Sequence, residues 1–232
     1  IRAIDYCPPV DLRFGEFLRA VITADVDLVP SDPWGYREAW IDAFARHGIY
    51  PPNVRSLAED ELRWQAPLPV IEPVVPLSFA RLQFRGDPAC AAGERELRRQ
   101  AAMLGAMVAQ HPDAFGVMPV GAGVDLPCVQ SIRSARRIGP DGQVLFDLVA
   151  EVTQRRVVRD GDGAFEGYGG ATVLIGPRGE VRYVIAKNIR NAGRLASQRA
   201  FVRDGGRAYW TPSADGWLVP AGALYRRLHE AR

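Results

Sequence analysis

Two short turn signals set the fold class of this chain of 232 residues. Gly139-Pro140-Asp141-Gly142 and Gly176-Pro177-Arg178-Gly179 both combine glycine with proline, a composition that favours a tight reversal of the backbone. Each turn stands between two segments rich in strand-forming residues, so each predicts a β-hairpin. The predicted strands comprise residues 129–138, 143–157, 171–175 and 181–186. A four-stranded antiparallel sheet made of two hairpins is therefore the expected centre of the fold.

The second predicted strand indicates how the sheet is covered. Between positions 146 and 153 the even positions are apolar and the odd positions are polar, with Val149 as the one exception. Because successive side chains of a strand point to opposite faces, this pattern predicts one buried face and one face mostly in contact with water. We expect helices on the buried face only, which makes the chain α+β.

Three helices are predicted to flank the sheet. Residues 89–111, which two prolines bound, place leucine, methionine and valine on one side and charged residues on the other. Met103 and Met107 are also compatible with an adaptable binding surface, but helical periodicity favours packing in the core. Residues 189–202 and 221–230 give the other two predicted helices.

The N-terminal 50 residues predict a pair of helices. Asp11 is the expected N-cap of the first helix and Asp32 that of the second, with Pro33 at its first helical position. Gly48 stands where a left-handed residue would end the second helix. Apolar residues recur at three- and four-residue spacing in both helices. They are Phe14, Phe17, Leu18, Val21 and Ile22 in the first, and Trp40, Ile41 and Phe44 in the second.

Prolines interrupt the region that follows so often that neither a long helix nor a central strand fits most of it. They are Pro51, Pro52, Pro67, Pro69, Pro73 and Pro76, with one short helix predicted between Ser56 and Trp64. We therefore divide the chain into terminal helices (1–50), a proline-rich connector (51–76) and a C-terminal α+β domain (77–232).

Composition excludes several classes of protein. The net charge is only +2 and the arginines are interspersed with carboxylates, so no basic face for nucleic acid is predicted. No apolar run approaches the roughly 20 residues that cross a bilayer, and no membrane partner is expected. Cys7, Cys90 and Cys128 are an odd, widely spaced set, which argues against a disulfide framework or a cysteine zinc site. A reducing, cytoplasmic location is expected.

The sequence carries no convincing catalytic or metal-binding motif. None of the histidines (His47, His111 and His229) belongs to a His-Glu-x-x-His pattern. Residues 160–163, Asp-Gly-Asp-Gly, resemble the start of a calcium loop but lack its remaining ligands, so a polar hairpin loop is predicted. The glycines at 167, 169 and 170 lack the strand-to-helix context of a phosphate loop. We accordingly assign no catalytic, cofactor-binding or metal-binding residue.

The helical pair carries four short motifs in a fixed order. They are Phe17-Leu18-Arg19-Ala20, Leu28-Val29-Pro30, Tyr36-Arg37, and the segment from Ala43-Phe44 to Gly48-Ile49. This order resembles the C-terminal helices of thermolysin-like zinc peptidases, the gluzincin group. It also resembles bacterial gluzincin-related proteins of unknown role that carry an additional C-terminal α+β region. The resemblance covers the first helical pair and extends only loosely to the hairpins.

What this resemblance implies is a position in a longer polypeptide. In the gluzincin group the two zinc-binding histidines, the general-base glutamate and the third zinc ligand all precede these helices, and none of them maps onto this chain. We therefore expect the native polypeptide to extend upstream of Ile1, with zinc and peptide-bond hydrolysis belonging to that upstream region. This chain would be a non-catalytic C-terminal portion, and its partner would be the upstream region. The apolar stripe of the helical pair would face that region.

Two other functions are compatible with the sequence. Residues 77–232 could form a partner-binding or regulatory α+β module without enzymatic role, which contacts another protein through a sheet edge or the aromatic tail. A self-contained hydrolase that uses Asp147, Glu151 and His111 is the least favoured hypothesis.

Overall fold

The computed structural model describes residues 2–68, 70–88, 90, 92–139, 141–160, 163–204, 210–212, 214 and 218–220. Its centre is an antiparallel meander of β1 (Cys128–Ile138), β2 (Val144–Asp160), β3 (Gly163–Ile175) and β4 (Val181–Lys187). The α-helices are α1 (Phe14–Leu28), α2 (Tyr36–Arg46), α3 (Glu59–Leu62), α4 (Glu94–Gln110) and α5 (Ala192–Asp204), and a 3-10 helix (Arg2–Tyr6) precedes them. The prediction of an α+β fold around a four-stranded antiparallel sheet is confirmed.

Both predicted hairpins are present. Ile138 pairs with Val144 across the first turn, and Ile175 pairs with Val181 across the second. Gly142 has a φ of +80°, in the left-handed region that a side chain strains. The local turn chemistry is thus sufficient to place these reversals.

Strand β3 is longer than the sequence predicts. It begins at Gly163 instead of residue 171 and pairs with β2 along its whole length, so a third hairpin joins the two predicted ones. The glycines of this segment obscure the strand pattern. A Cβ at Gly169 would collide with the backbone of Ile189, so glycine is needed where the segment after β4 passes close to the sheet.

Two short strands extend the sheet beyond the meander. β5 (Trp210–Pro212) and β6 (Leu218–Pro220) pair with each other, and Leu218 pairs in parallel with Phe165 of β3. The predicted helix at 221–230 lies outside the described residues, as do His229 and residues 161–162 of the predicted polar hairpin loop.

One face of the sheet packs against α4. Leu104, Met107 and Val108 of that helix join a cluster with Leu148 and Val173 of the central strands. These residues are all buried, and so are Glu96 and Gln100 on the same helix. The helix predicted for residues 89–111 is therefore confirmed, although it begins later, at Glu94.

The other face of the sheet is also covered, contrary to the expectation of a face in contact with water. Ala20 and Ala24 of α1, together with Tyr6, pack against Val149 and Leu174. Small alanines allow the helix to approach the sheet closely. Helices thus lie on both faces of the sheet, and Val149, the exception in the alternation, belongs to this second core.

The helix boundaries correct two predicted caps. Asp11 does not cap α1, because the helix begins at Phe14 and its N-cap position is Arg13. The Arg13 backbone N–H donates a hydrogen bond to the carboxylate of Glu16. Asp32 does accept hydrogen bonds from the backbone N–H groups of α2, but that helix begins at Tyr36 and not at Pro33. The left-handed conformation predicted for Gly48 is confirmed by a φ of +67°.

Contacts between α1 and the sheet connect parts of the chain that the sequence divides into separate domains. The boundaries at 50 and 76 stay a prediction. In the part of the chain that the structure describes, no helix is both long and apolar enough to pass through a bilayer.

Candidate functional site

Arg37 holds the turn between α1 and α2 in place. Its guanidinium donates hydrogen bonds to the carboxylates of Asp25 and Glu59, both at 2.8 Å. It also donates to the backbone carbonyls of Val29 and Pro30, at 2.8 and 3.1 Å. Arg37 is 5% exposed, and these four acceptors satisfy a buried guanidinium of fixed planar shape.

Arg19 holds the connector in place against α1. Its side chain donates to the carbonyls of Leu62 and Arg63 and lies 3.8 Å from the ring centre of Trp64. The indole N–H of Trp64 in turn donates to the carbonyl of Tyr6, at 2.9 Å. Two of the arginines in the gluzincin-like motifs, Arg19 and Arg37, therefore act as clamps between backbone segments.

Part of the apolar stripe on the helical pair is buried within this chain. Leu18 and Ile22 of α1 pack against Leu62 of α3, with Ile41 and Phe44 of α2 beside them. The expectation that the stripe faces a missing surface is therefore wrong for Leu18 and Ile22, which are buried within this chain. The short helix α3 in the connector supplies the covering group.

Several side chains of the helical pair remain exposed, among them Phe14 of α1 and a set of aromatic residues just before and within α2. Trp34, Tyr36 and Trp40 are 74%, 59% and 46% exposed, and we call them the aromatic face. The rings of Trp34 and Tyr36 lie 5.8 Å apart, and Trp40 follows Tyr36 by one helical turn. Scattered exposed apolar residues are ordinary, but clustered tryptophan and tyrosine side chains are typical of protein contact surfaces.

The second polar constellation is buried between the 3-10 helix and the sheet. Asp147 is fully buried and is surrounded by the guanidinium groups of three arginines. Arg137 Nε lies 2.8 Å from its carboxylate, Arg182 Nη1 lies 3.1 Å away and Arg2 Nη2 lies 3.7 Å away. Burial raises the pKa of Asp147, and the three positive charges oppose that shift.

Asp27 forms the other half of this network. Its carboxylate accepts hydrogen bonds from the hydroxyls of Tyr6 and Tyr183, at 2.7 and 3.1 Å, and pairs with Arg182 at 2.9 Å. Burial, followed by the neighbouring Asp27 charge, raises the pKa of Tyr183 to about 12 and shifts that of Tyr6 still further. Neither phenol ionises near neutral pH, so both act as donors that anchor the N-terminal segment to the sheet.

The structure does not bring together the residues of the hydrolase hypothesis. Asp147 and Glu151 lie on the sheet face under α1, and each is paired with arginine. His111 follows the end of α4, which packs on the opposite face. These carboxylates are therefore partners in structural ion pairs and are separated from the histidine by the sheet.

The other residues considered from sequence are dispersed. Within the described ranges, no group of three or more histidine, cysteine or acidic side chains could hold a metal ion. Cys7 is buried, while Cys90 and Cys128 are exposed free thiols. His47 is exposed just after α2.

Sequence reasoning missed the buried network, and only one signal pointed to it. Arg2, Arg137 and Arg182 are far apart in the chain, and Asp27 is distant in sequence from Arg182 and Tyr183, with which it interacts. The isolated Val149 on a polar strand face was the available sign that this face is covered.

Comparison with protein-family models, with curated proteins and with solved structures gives no match for this chain. The gluzincin-like motifs therefore enter the functional argument only as a resemblance in sequence.

Proposed function

We propose that this chain is the non-catalytic C-terminal portion of a zinc-metallopeptidase-like protein, and that its aromatic face packs against the region upstream of Ile1. The observation that carries this proposal is the aromatic face itself. Trp34, Tyr36 and Trp40 remain exposed on a helical pair whose other side is closed.

The positions of the motif residues support the proposal. Leu18 is in the core, Arg19 and Arg37 clamp backbone carbonyls, and Gly48 ends α2 in the left-handed conformation. All of them act in packing the helical pair, which is the role that the resemblance to the end of a peptidase helical subdomain implies. Any zinc-bound water that attacks a peptide carbonyl would then be held by upstream residues.

The upstream region is the favoured occupant because the face lies on the pair that carries the resemblance. Aromatic side chains that become fully desolvated contribute most of the binding energy of a typical interface. The charged residues that intersperse α2, such as Glu38 and Asp42, would form the polar rim of such a contact.

The test is to express the region encoded upstream of Ile1 as a separate fragment and measure its binding to this chain by calorimetry. We expect a saturable complex in which amide hydrogen exchange slows across residues 34–44. Replacing both tryptophans, Trp34→Glu with Trp40→Glu, should weaken the complex by at least about tenfold. Ile138→Glu, at a 60% exposed site on β1, is the matched control and should leave binding unchanged.

Two results would contradict the proposal. If the aromatic face exchanges equally fast with and without the upstream fragment, docking in cis is wrong and the partner-binding module becomes the favoured function. If the upstream coding sequence contains no His-Glu-x-x-His motif and the longer polypeptide holds no stoichiometric zinc, the peptidase assignment of the parent fails.

A further inference from the structure

A preformed cavity lies between α4 and β2, far in sequence from the aromatic face. Its volume is about 430 Å³. Its walls come from the C-terminal part of α4 and Pro112, from residues 117–120, from Leu126, Pro127 and Val129, and from Val152 of β2. This volume is within the range of small-molecule sites, about 300–1,000 Å³.

The composition of the lining favours one class of ligand. The lining consists only of valine, proline, leucine, methionine, alanine and glycine residues. Among the described residues, no charged group and no aromatic ring belongs to it. A charged group placed inside would lose part of its hydration without gaining a partner, whereas an aliphatic chain would bury apolar surface against the walls.

The wall opposite α4 is fixed in position before any ligand binds. The amide of Gln154, which is 1% exposed, accepts a hydrogen bond from Met118 N–H and donates to the carbonyls of Met118 and Asp125. All three distances are 2.8 Å. Three prolines in the lining further restrict the backbone. The cavity is therefore preorganised, which reduces the entropic cost of binding.

Gly105 keeps the α4 side of the cavity open. It lies in the interior of α4, where glycine is the least favoured residue apart from proline. Close packing does not require it, because among the described residues no atom beyond its own helix and its chain neighbours lies within 4 Å of a Cβ at this position. A glycine that weakens the helix without a packing reason fits a position that must leave space for a ligand.

We propose that this cavity binds the aliphatic chain of a small molecule. A protein partner is disfavoured because the hollow has the volume of a small-molecule site, about 430 Å³, while protein interfaces bury about 800 Å² on each side. Val120 and Leu126, which are 55% and 73% exposed, form the rim over which a polar end of the ligand would reach water.

The test uses 1-octanol as the probe and the whole chain with labelled methyl groups, followed by nuclear magnetic resonance. We expect saturable shifts confined to methyl groups of the lining, such as those of Val117, Met118 and Val152. Glycerol, which has no aliphatic chain, should produce none. A rise in the melting temperature with 1-octanol concentration would give an independent reading of the affinity.

Gly105→Leu is the decisive variant, because it adds a side chain that favours helix at the α4 wall of the cavity. We expect it to fold with an unchanged or higher melting temperature and to bind 1-octanol at least about tenfold more weakly. Ala106→Leu, at the next and also exposed position of α4, is the control and should bind normally. Leu126→Ala should weaken binding without loss of stability.

Three outcomes would overturn the proposal. Shifts that never saturate, or equal binding by wild type and Gly105→Leu, would exclude a specific site. Sedimentation that shows the chain to be a dimer, with these methyl groups protected in it, would make the cavity an interface between copies. None of these outcomes bears on the upstream docking of the aromatic face.

Discussion

At the scale of single residues, buried arginines connect segments that are distant in the chain. Arg37 joins the end of α1 to α2 and α3, and Arg182 joins Asp27 of α1 to Asp147 of the sheet. A guanidinium suits this task because it offers five donors in a fixed plane and stays charged when buried. Removing one such guanidinium leaves several hydrogen-bond acceptors without a donor at once.

Arg37→Ala should lower the free energy of unfolding by about 2–3 kcal/mol, because two carboxylates and two carbonyls lose their donor while water reaches the partly exposed Asp25 and Glu59. Arg37→Lys should fall between wild type and alanine, since one ammonium cannot span all four acceptors. Urea unfolding measures both. Arg46→Ala removes an exposed arginine paired with Asp42 and should cost under about 0.5 kcal/mol. Equal losses for the two alanine variants would contradict the role of Arg37.

Glu96 predicts a pH dependence of stability. Hydrogen bonds from Arg99 and then from Gln100 and the Gln83 backbone lower its pKa from 4.5 to about 2, despite its burial. A carboxylate whose folded pKa is lowered stabilises the protein above its unfolded pKa and loses that contribution as the pH falls toward the folded pKa. We therefore expect a contribution of about 2–3 kcal/mol to be present above pH 4.5 and to disappear as the pH approaches 2.

The measurement is the difference in unfolding free energy between wild type and Glu96→Gln at several pH values. That difference should shrink steadily as the pH is lowered from about 5 to about 2. Glu94→Gln, at an exposed position of the same helix that pairs with Arg98, should give a small difference at every pH. A constant difference for Glu96→Gln would show that its hydrogen bonds do not depend on its charge.

At the scale of elements, β2 is the strand that both helical layers share. Its even positions face α4, and its odd positions, Asp147 and Val149 among them, face α1. Arginines from the neighbouring strands and from the N-terminal segment offset the negative charge of the fully buried Asp147. A polar strand face is thus compatible with a covering helix when its charges are paired.

Val149→Ala tests whether that face is covered in solution. Val149 is fully buried beneath α1, so we expect a loss of about 2 kcal/mol from lost contacts and the remaining cavity. Val144→Ala, on the same strand but 54% exposed, should change stability by less than about 0.5 kcal/mol. Thermal or denaturant unfolding of the two variants decides the question. Similar small effects would restore the sequence-based prediction of a face in contact with water.

At the scale of the whole molecule, sequence reasoning succeeded where the signal is local. The turns at 139–142 and 176–179 and the periodicity of α4 placed most of the sheet and its first covering helix. It failed where partners are distant: Asp147 is polar, and nothing near it in sequence reveals that Arg2 and Arg182 neutralise it. Of the aromatic face, only Trp40 belongs to the predicted apolar stripe, and Ile41 and Phe44 of the same stripe are partly buried.

Because both faces of the sheet are buried, we expect the C-terminal part of the chain not to fold without α1. A fragment comprising residues 66–232 lacks α1 and the 3-10 helix, so Val149, Leu174 and Tyr183 become exposed. The same cut removes Arg2 and Asp27, so that among the described residues Asp147 is the one acidic partner left to Arg182. We expect this fragment to lack a cooperative thermal transition and to bind an apolar dye, as loosely packed states do.

Adding a separate fragment of residues 1–65 should restore the transition, because the contacts that the cut removes are non-covalent. A full chain cleaved at an engineered protease site next to Leu68, an 84% exposed residue of the connector, controls for the break itself and should stay folded. Circular dichroism in the near ultraviolet follows both experiments. A fragment of residues 66–232 that unfolds cooperatively at the same temperature as the cleaved chain would establish it as an independent domain, and the layer under α1 would then add no stability to the sheet.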